Sequence, residues 1–170
     1  MAASQGPNEH RYEISLAWTG NLGEGTSGYR SYSRDFEVAV GSRPPISGSA
    51  DPTFRGDPER YNPEEMLVAA VSSCHMLWYL HLCAVGHITI TTYSDKGEGT
   101  LAIGEGGGGH FTSITLRPQV IAKLPDGKAD DGSLREKALA LHEEAHRLCF
   151  IANSLNVTVV VEPTVELVST

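Results

Sequence analysis

The sequence predicts an α+β fold, and three observations carry it. Tyr12, Ile14, Leu16 and Trp18 alternate with polar or small residues, the period of a half-buried strand. A long uncharged stretch after Asn62 has the signature of a helix, and a second helical stripe follows a glycine-rich hairpin. Strands, helix, hairpin, helix and strand, without an internal repeat, are the α+β order. At 170 residues the chain is one domain, 1–170, large enough to bury a core without staples.

Residues 1 to about 9 are polar and expected to be mobile. The first strand ends at the turn Thr19-Gly20-Asn21, and a second is expected from about Tyr29 to Val40. Residues 41–61 hold Pro44, Pro45, Pro52 and Pro58 with Gly41, Gly48 and Gly56, the mark of a long loop. Loops of that length are often functional. Asn62 suits the helix cap, Pro63 the first helical position, Glu65 the capping box and Gly86 the stop. No residue from Met66 to Val85 is formally charged. Ser72, Ser73, His75 and His81 interrupt the stretch, so it reads as a core or interface helix and not a membrane span. Strands are expected from Ile88 to about Ile103 and from His110 to Lys123, joined by glycines. Ser133 with Glu136 reads as a second capping box. The stripe Leu134, Ala138, Leu141, Ala145 and Leu148 makes the second helix, and Val157 to Val168 the last strand.

The formal net charge is −8, which argues against a nucleic-acid or anionic-membrane surface. Met1 to Glu9 lacks the basic start and apolar run of a signal peptide. The three cysteines, Cys74, Cys83 and Cys149, form no C-x-x-C pair. The expected location is therefore cytoplasmic, with thiols reduced at rest and any disulfide transient.

Two motifs match known patterns formally. Gly104-x-Gly106-x-x-Gly109 fits the dinucleotide fingerprint, but strand-like residues follow it where a helix is required, so it reads as a hairpin turn. His142-Glu143-x-x-His146 fits the zincin motif, in which two histidines hold zinc and the glutamate activates water. This short chain offers no obvious third ligand. Cys74 lies inside the uncharged helix, where a free cysteine is commonly plain core. Cys83, about 900° further round, lies on the opposite face and reads as packing. Cys149 ends the second helix.

The segment Asn62-Pro63-Glu64-Glu65-Met66-Leu67-x-Ala69-Ala70-x-Ser72-x-Cys74-His75 resembles the OsmC/Ohr family of organic hydroperoxide reductases. So does Ala145-His146-x-x-Cys149-x-Ile151-x-Asn153-Ser154, although Phe150 stands where the family commonly has proline. Phe54-Arg55-Gly56-Asp57 and the Cys74-His75 pair look more like the OsmC branch. The resemblance implies antiparallel sheets wrapped around a long apolar central helix in an intertwined homodimer. It implies a peroxidase in which Cys74 is oxidised to a sulfenic acid and Cys149 resolves it as a disulfide. Arg55 would support the thiolate, Glu64 would orient Arg55, and Phe54 and His75 would contact substrate. Arg34 is the less suited alternative to Arg55. The implied partners are an organic hydroperoxide and an external dithiol, such as a lipoylated protein, with no bound cofactor or metal. His146 would act near Cys149.

Ten residues separate Glu64 from Cys74, roughly 15 Å along a straight helix. Either the helix breaks near Ser72-Ser73, or Glu64 and Arg55 come from another subunit. The alternatives to a peroxidase are a zinc hydrolase using His142, Glu143 and His146, and a non-catalytic carrier of apolar ligands.

Overall fold

The computed structural model describes residues 9–125, 127 and 130–169. The start expected to be mobile lies outside the described residues, apart from Glu9. Two compact units divide the chain, Met1–Glu64 and Glu65–Thr170.

In the first unit, β1 (Ser15–Trp18), β2 (Phe36–Ala39) and β3 (Ile46–Gly48) form an antiparallel sheet in that order. β1 is exposed along its length and not half-buried, because the unit offers it no apolar layer to cover it. The second strand is shorter than its sequence suggests. Tyr29 to Asp35 form a loop, since Arg34 spends its donors on the Tyr29 and Tyr32 carbonyls at 2.9 and 2.8 Å. The Pro/Gly segment is ordered around buried Ser49, whose hydroxyl donates to Asp35 at 3.0 Å and accepts from the Asp57 amide at 3.1 Å. It also holds β3 and a single 3-10 turn, Pro52–Phe54.

Helix α1 runs unbroken from Pro63 to Val85. By length and composition it could cross a bilayer. Its Val71, His75, Tyr79 and Cys83, four residues apart on one face, are nonetheless buried within the fold.

The expected long strands each appear as two. β4 (Thr89–Asp95) and β5 (Glu98–Ile103) lead into β6 (Gly109–Leu116) and β7 (Pro118–Lys123), and β8 (Thr158–Val161) and β9 (Thr164–Val168) follow. The sheet orders are β4-β7-β9 and β5-β6-β8. All three breaks fall at one level: Lys96-Gly97, Arg117 and Glu162-Pro163. Arg117 holds this bend. Its amide donates to Asp95 Oδ1 at 2.7 Å, and its guanidinium meets Glu162 at 3.1 Å and Glu98 at 3.0 Å. The sheets are not purely antiparallel as expected. β6 with β8 and β7 with β9 pair parallel, because helix α2 (Ser133–Leu148) carries the chain back between β7 and β8.

The glycine motif is the β5–β6 turn, with Gly106 and Gly107 at φ 84° and 83°, angles that favour glycine. Gly99 has a different task. A Cβ there would stand 2.5 Å from the Phe111 ring and 2.8 Å from Val68, so its absence lets α1 approach β5.

The amino-terminal half of α1 packs through Val68 and Val71 on Ile114, Leu116 and Val159. Its other half packs through Tyr79 and Cys83 on Val120, Ala122, Ala138 and Ala145, which belong to β7 and α2. Ser133 is not the cap of α2. Gly132 occupies that position, and Asp131 accepts from the Ser133 amide and hydroxyl, so the expected capping box does not form.

Candidate active site

Cys74 and Cys149 are brought together within the second unit. Cys74, on α1, is partly exposed. Cys149, at the C-terminal end of α2, is fully buried, and both are free thiols. The Cys74 thiol is near enough to Cys149 to act on its titration. Burial pushes the Cys149 thiol up to about 11. The Cys74 sulfur adds to the rise, and the amides of Ala152 and Ile151 work against it. The Ala152 amide meets Cys149 Sγ at 3.5 Å. Cys149 is thus a protected partner for a more accessible sulfur. Phe150, in the common proline position, is exposed and stacks edge-on with Trp78, ring centres 5.4 Å apart.

Cys83 sits in the apolar cluster of α1, α2 and β7, where burial raises its thiol pKa, in line with a packing role.

His75 departs from expectation. It is 1% exposed, and its Nε2 lies 3.0 Å from Nδ1 of His142, itself 2% exposed. A substrate contact by His75 therefore finds no support in this arrangement, because the ring is committed to α2. The His142 ring stacks on Tyr79 with centres 3.7 Å apart. Burial lowers His75 to about 4, with His146 acting in the same direction and Asp95 against it. Burial, then His75, lowers His142 to about 3. Both imidazoles are neutral at pH 7. The spacing of neither histidine hinted at this pair, which joins positions 67 residues apart.

The pair also bears on the zincin reading. His142, Glu143 and His146 contribute to the wall of one cavity of about 590 Å3 with Leu139, Val161 and Pro163. His142 Nδ1 is engaged by His75, and among the described residues no three His, Cys, Asp or Glu side chains are arranged to hold a metal ion.

The charged candidates lie in the first unit. Arg55 ends the 3-10 turn at φ 69° and is exposed, its guanidinium 6.0 Å from the Tyr29 ring centre. Arg34 lies 4.5 Å from the same ring and 4.2 Å from Tyr32. Both candidate arginines thus flank Tyr29, a residue sequence reasoning did not single out. Among the described residues neither Arg55 nor Glu64 forms an ion pair, so the expected Arg55–Glu64 bidentate contact is not made within one chain. Phe54, Glu64 and Arg34 line a cavity of about 260 Å3 with Trp18, Tyr32 and Phe36.

The helix break proposed to bring Glu64 to Cys74 does not occur. Ser73 Oγ donates to the Ala70 carbonyl at 3.2 Å, and Ser72 Oγ donates to Asp95, both without interrupting α1. The two residues stay about ten helical rises apart along it.

Comparison with solved structures gives the same fold repeatedly. An OsmC-like protein of unknown function from Vibrio cholerae O1 biovar eltor is 29% identical, with a TM-score of 0.78, covering 92% of this chain and 100% of that one. An organic hydroperoxide resistance protein OsmC from Legionella pneumophila is 18% identical, with a TM-score of 0.62 and coverage of 92% and 97%. The organic hydroperoxide resistance protein OhrB of Bacillus subtilis is 19% identical, with a TM-score of 0.60 and coverage of 91% and 98%. Among curated proteins, none matches the chain. The family described as OsmC-like protein matches residues 56–164, a span that contains α1, α2 and both members of the cysteine pair. By that match the chain belongs to the OsmC-like protein family, and its described residues form the two α-helices and three small sheets of an α+β OsmC-like fold.

Proposed function

We propose that the chain is a thiol peroxidase that reduces organic hydroperoxides to alcohols in oxidative stress defence, acting in the cytoplasm. The observation that carries this reading is the pairing of half-exposed Cys74 with buried Cys149 across two helices. The relatives named as organic hydroperoxide resistance proteins support it.

The Cys74 thiolate attacks the terminal peroxide oxygen, the O–O bond breaks, and the alkoxide leaves and takes a proton. Cys74 is then a sulfenic acid. Cys149 attacks that sulfur, an S–S bond forms, and the hydroxyl leaves as water. An external dithiol, of lipoyl type, reduces the disulfide by exchange. Arg55 stabilises the thiolate and the leaving oxygen, with Glu64 orienting it. An unbroken α1 keeps Glu64 roughly 15 Å from Cys74 along the helix, and the reading takes Glu64 together with Arg55 from a second copy of the chain. Exposed apolar residues support a homodimer. Leu77, in the middle of α1, is 63% exposed, and Tyr12 before β1 is 87% exposed.

The test is peroxide consumption with dihydrolipoamide against dithiothreitol, comparing cumene hydroperoxide with hydrogen peroxide. Faster turnover of the organic peroxide is expected. No consumption of either peroxide with either dithiol rejects the reading.

A further inference from the structure

The His75–His142 pair is a costly thing to bury. Whichever nitrogen carries the shared proton, one outer nitrogen is left as a donor and the other as an acceptor. Both of these, His75 Nδ1 and His142 Nε2, are buried without a hydrogen-bond partner among the described residues. Two apolar side chains of similar volume would fill the space without that penalty. What an apolar pair lacks is direction. A hydrogen bond at 3.0 Å, with one ring stacked on Tyr79, allows one register of α1 against α2.

That register is the one the sulfurs need. His75 follows Cys74 directly on α1. Cys149 caps the C-terminal end of α2 seven residues after His142, two turns further along, and both are buried. The two helices are therefore joined by the imidazole hydrogen bond, with the two free thiols facing the same helix pair.

We propose that the His75–His142 hydrogen bond is a positioning device that holds α1 and α2 in the register at which Cys74 and Cys149 close on each other. The proposal deepens the two-cysteine reading above and rests on it for its physiological meaning. The geometric claim is separable, because disulfide closure can be measured without peroxide.

The probe is 5,5′-dithiobis(2-nitrobenzoate). Cys74 attacks its disulfide, releasing one thionitrobenzoate and keeping the other as a mixed disulfide. Cys149 then attacks the protein sulfur of that bond and expels the second thionitrobenzoate. The second release reports closure. His142→Phe keeps the ring and its stack but loses the hydrogen bond. His142→Asn is smaller but keeps a polar atom near the Nδ1 position. Closure is expected to slow at least tenfold in His142→Phe and to stay near wild type in His142→Asn. The equilibrium constant for closure should also fall about tenfold in the Phe variant, a rise of about 30 mV in the Cys74–Cys149 potential. A merely packing role gives the opposite order, with Asn worse than Phe, and overturns the proposal. Equal closure in all three proteins overturns it too. Should His142→Phe not fold, His75→Phe against His75→Gln asks the same question from α1, since Gln carries a polar atom near the Nε2 position. Normal closure without any peroxide consumption rejects the peroxidase reading and leaves the positioning role standing.

Discussion

The two units of this chain bury different things. From Val71 onward, among the described residues, ten of twelve buried apolar side chains gather into two clusters, which join α1 to both mixed sheets and α2 to the β4-β7-β9 sheet. Before Val71, among the described residues, no apolar side chain is fully buried, although Ser49 and Asn62 are. Tyr12, Ile14, Leu16 and Trp18 instead stand out from the chain. Apolar burial supplies most of the favourable free energy of folding, so the second unit has its own reason to be compact. The first unit is ordered by polar bonds around Ser49 and Arg34 and leaves its apolar strand uncovered. The difference teaches that the cysteine pair is assembled wholly within the second unit, while the charged residues proposed to serve it stand in the first.

The largest expected effect lies in the second unit. Cys74→Ser should abolish turnover, while Cys149→Ser should still complete a single round of peroxide reduction. Rapid quench with mass analysis of the sulfenic acid checks both, and full turnover by Cys74→Ser would remove the assignment.

The next effect crosses from one unit to the other. Arg55→Ala should slow Cys74 oxidation by a hydroperoxide by orders of magnitude in stopped flow, and Arg55→Lys should rescue it poorly, because the planar fork is lost. Arg34→Ala should change that rate little. It should cost stability on the order of 1 kcal/mol by freeing the Tyr29–Asp35 loop, which loses two hydrogen bonds and two ring contacts. A slow Arg34→Ala beside a normal Arg55→Ala would exchange their roles across Tyr29.

Assembly comes third. Light scattering should give twice the 18.3 kDa chain mass, and Leu77→Lys should shift it toward the single chain and lower activity with it. A wild-type mass of 18.3 kDa would mean that the first unit's exposed strand is not covered by a second copy.

A smaller effect follows from the imidazole pair. Unfolded histidine titrates near 6.5, whereas His75 and His142 in the fold are lowered to about 4 and about 3. Between these limits the unfolded chain binds more protons. Stability from the pair is therefore complete above about 6.5 and is lost as pH falls toward the folded values. Beyond burial, His146 also lowers His75 and Asp95 raises it. Melting temperature should drop from pH 7 to pH 4 and drop less in His75→Phe/His142→Phe. Parallel melting curves for the two proteins would refute this origin.

The smallest effect is expected at Cys83. Cys83→Ala should keep near-normal activity at a packing cost on the order of 1 kcal/mol, read from denaturant melts.

Local chemistry determined a good deal by itself. Asn62, Pro63 and Gly86 marked the ends of α1, the stripe from Leu134 to Leu148 marked α2, and the glycines after Ile103 marked a turn. Each is set by neighbours a few residues away, through capping, periodicity or permitted backbone angles. The two segments that resemble the family, around Cys74 and Cys149, were equally legible, as was the packing character of Cys83. Only the tertiary structure decided the rest. Three strands break at the level of Arg117 because Asp95, Glu98 and Glu162 converge on it from other parts of the chain. Asp131 and Gly132 displace Ser133 from the cap of α2 because the incoming loop presents Asp131 to the Ser133 amide. His142 looks like half of a zinc motif until His75, 67 residues away, takes its Nδ1. A sequence carries the energies of near neighbours openly, whereas bonds between distant residues exist only once chain entropy has been spent to bring them together.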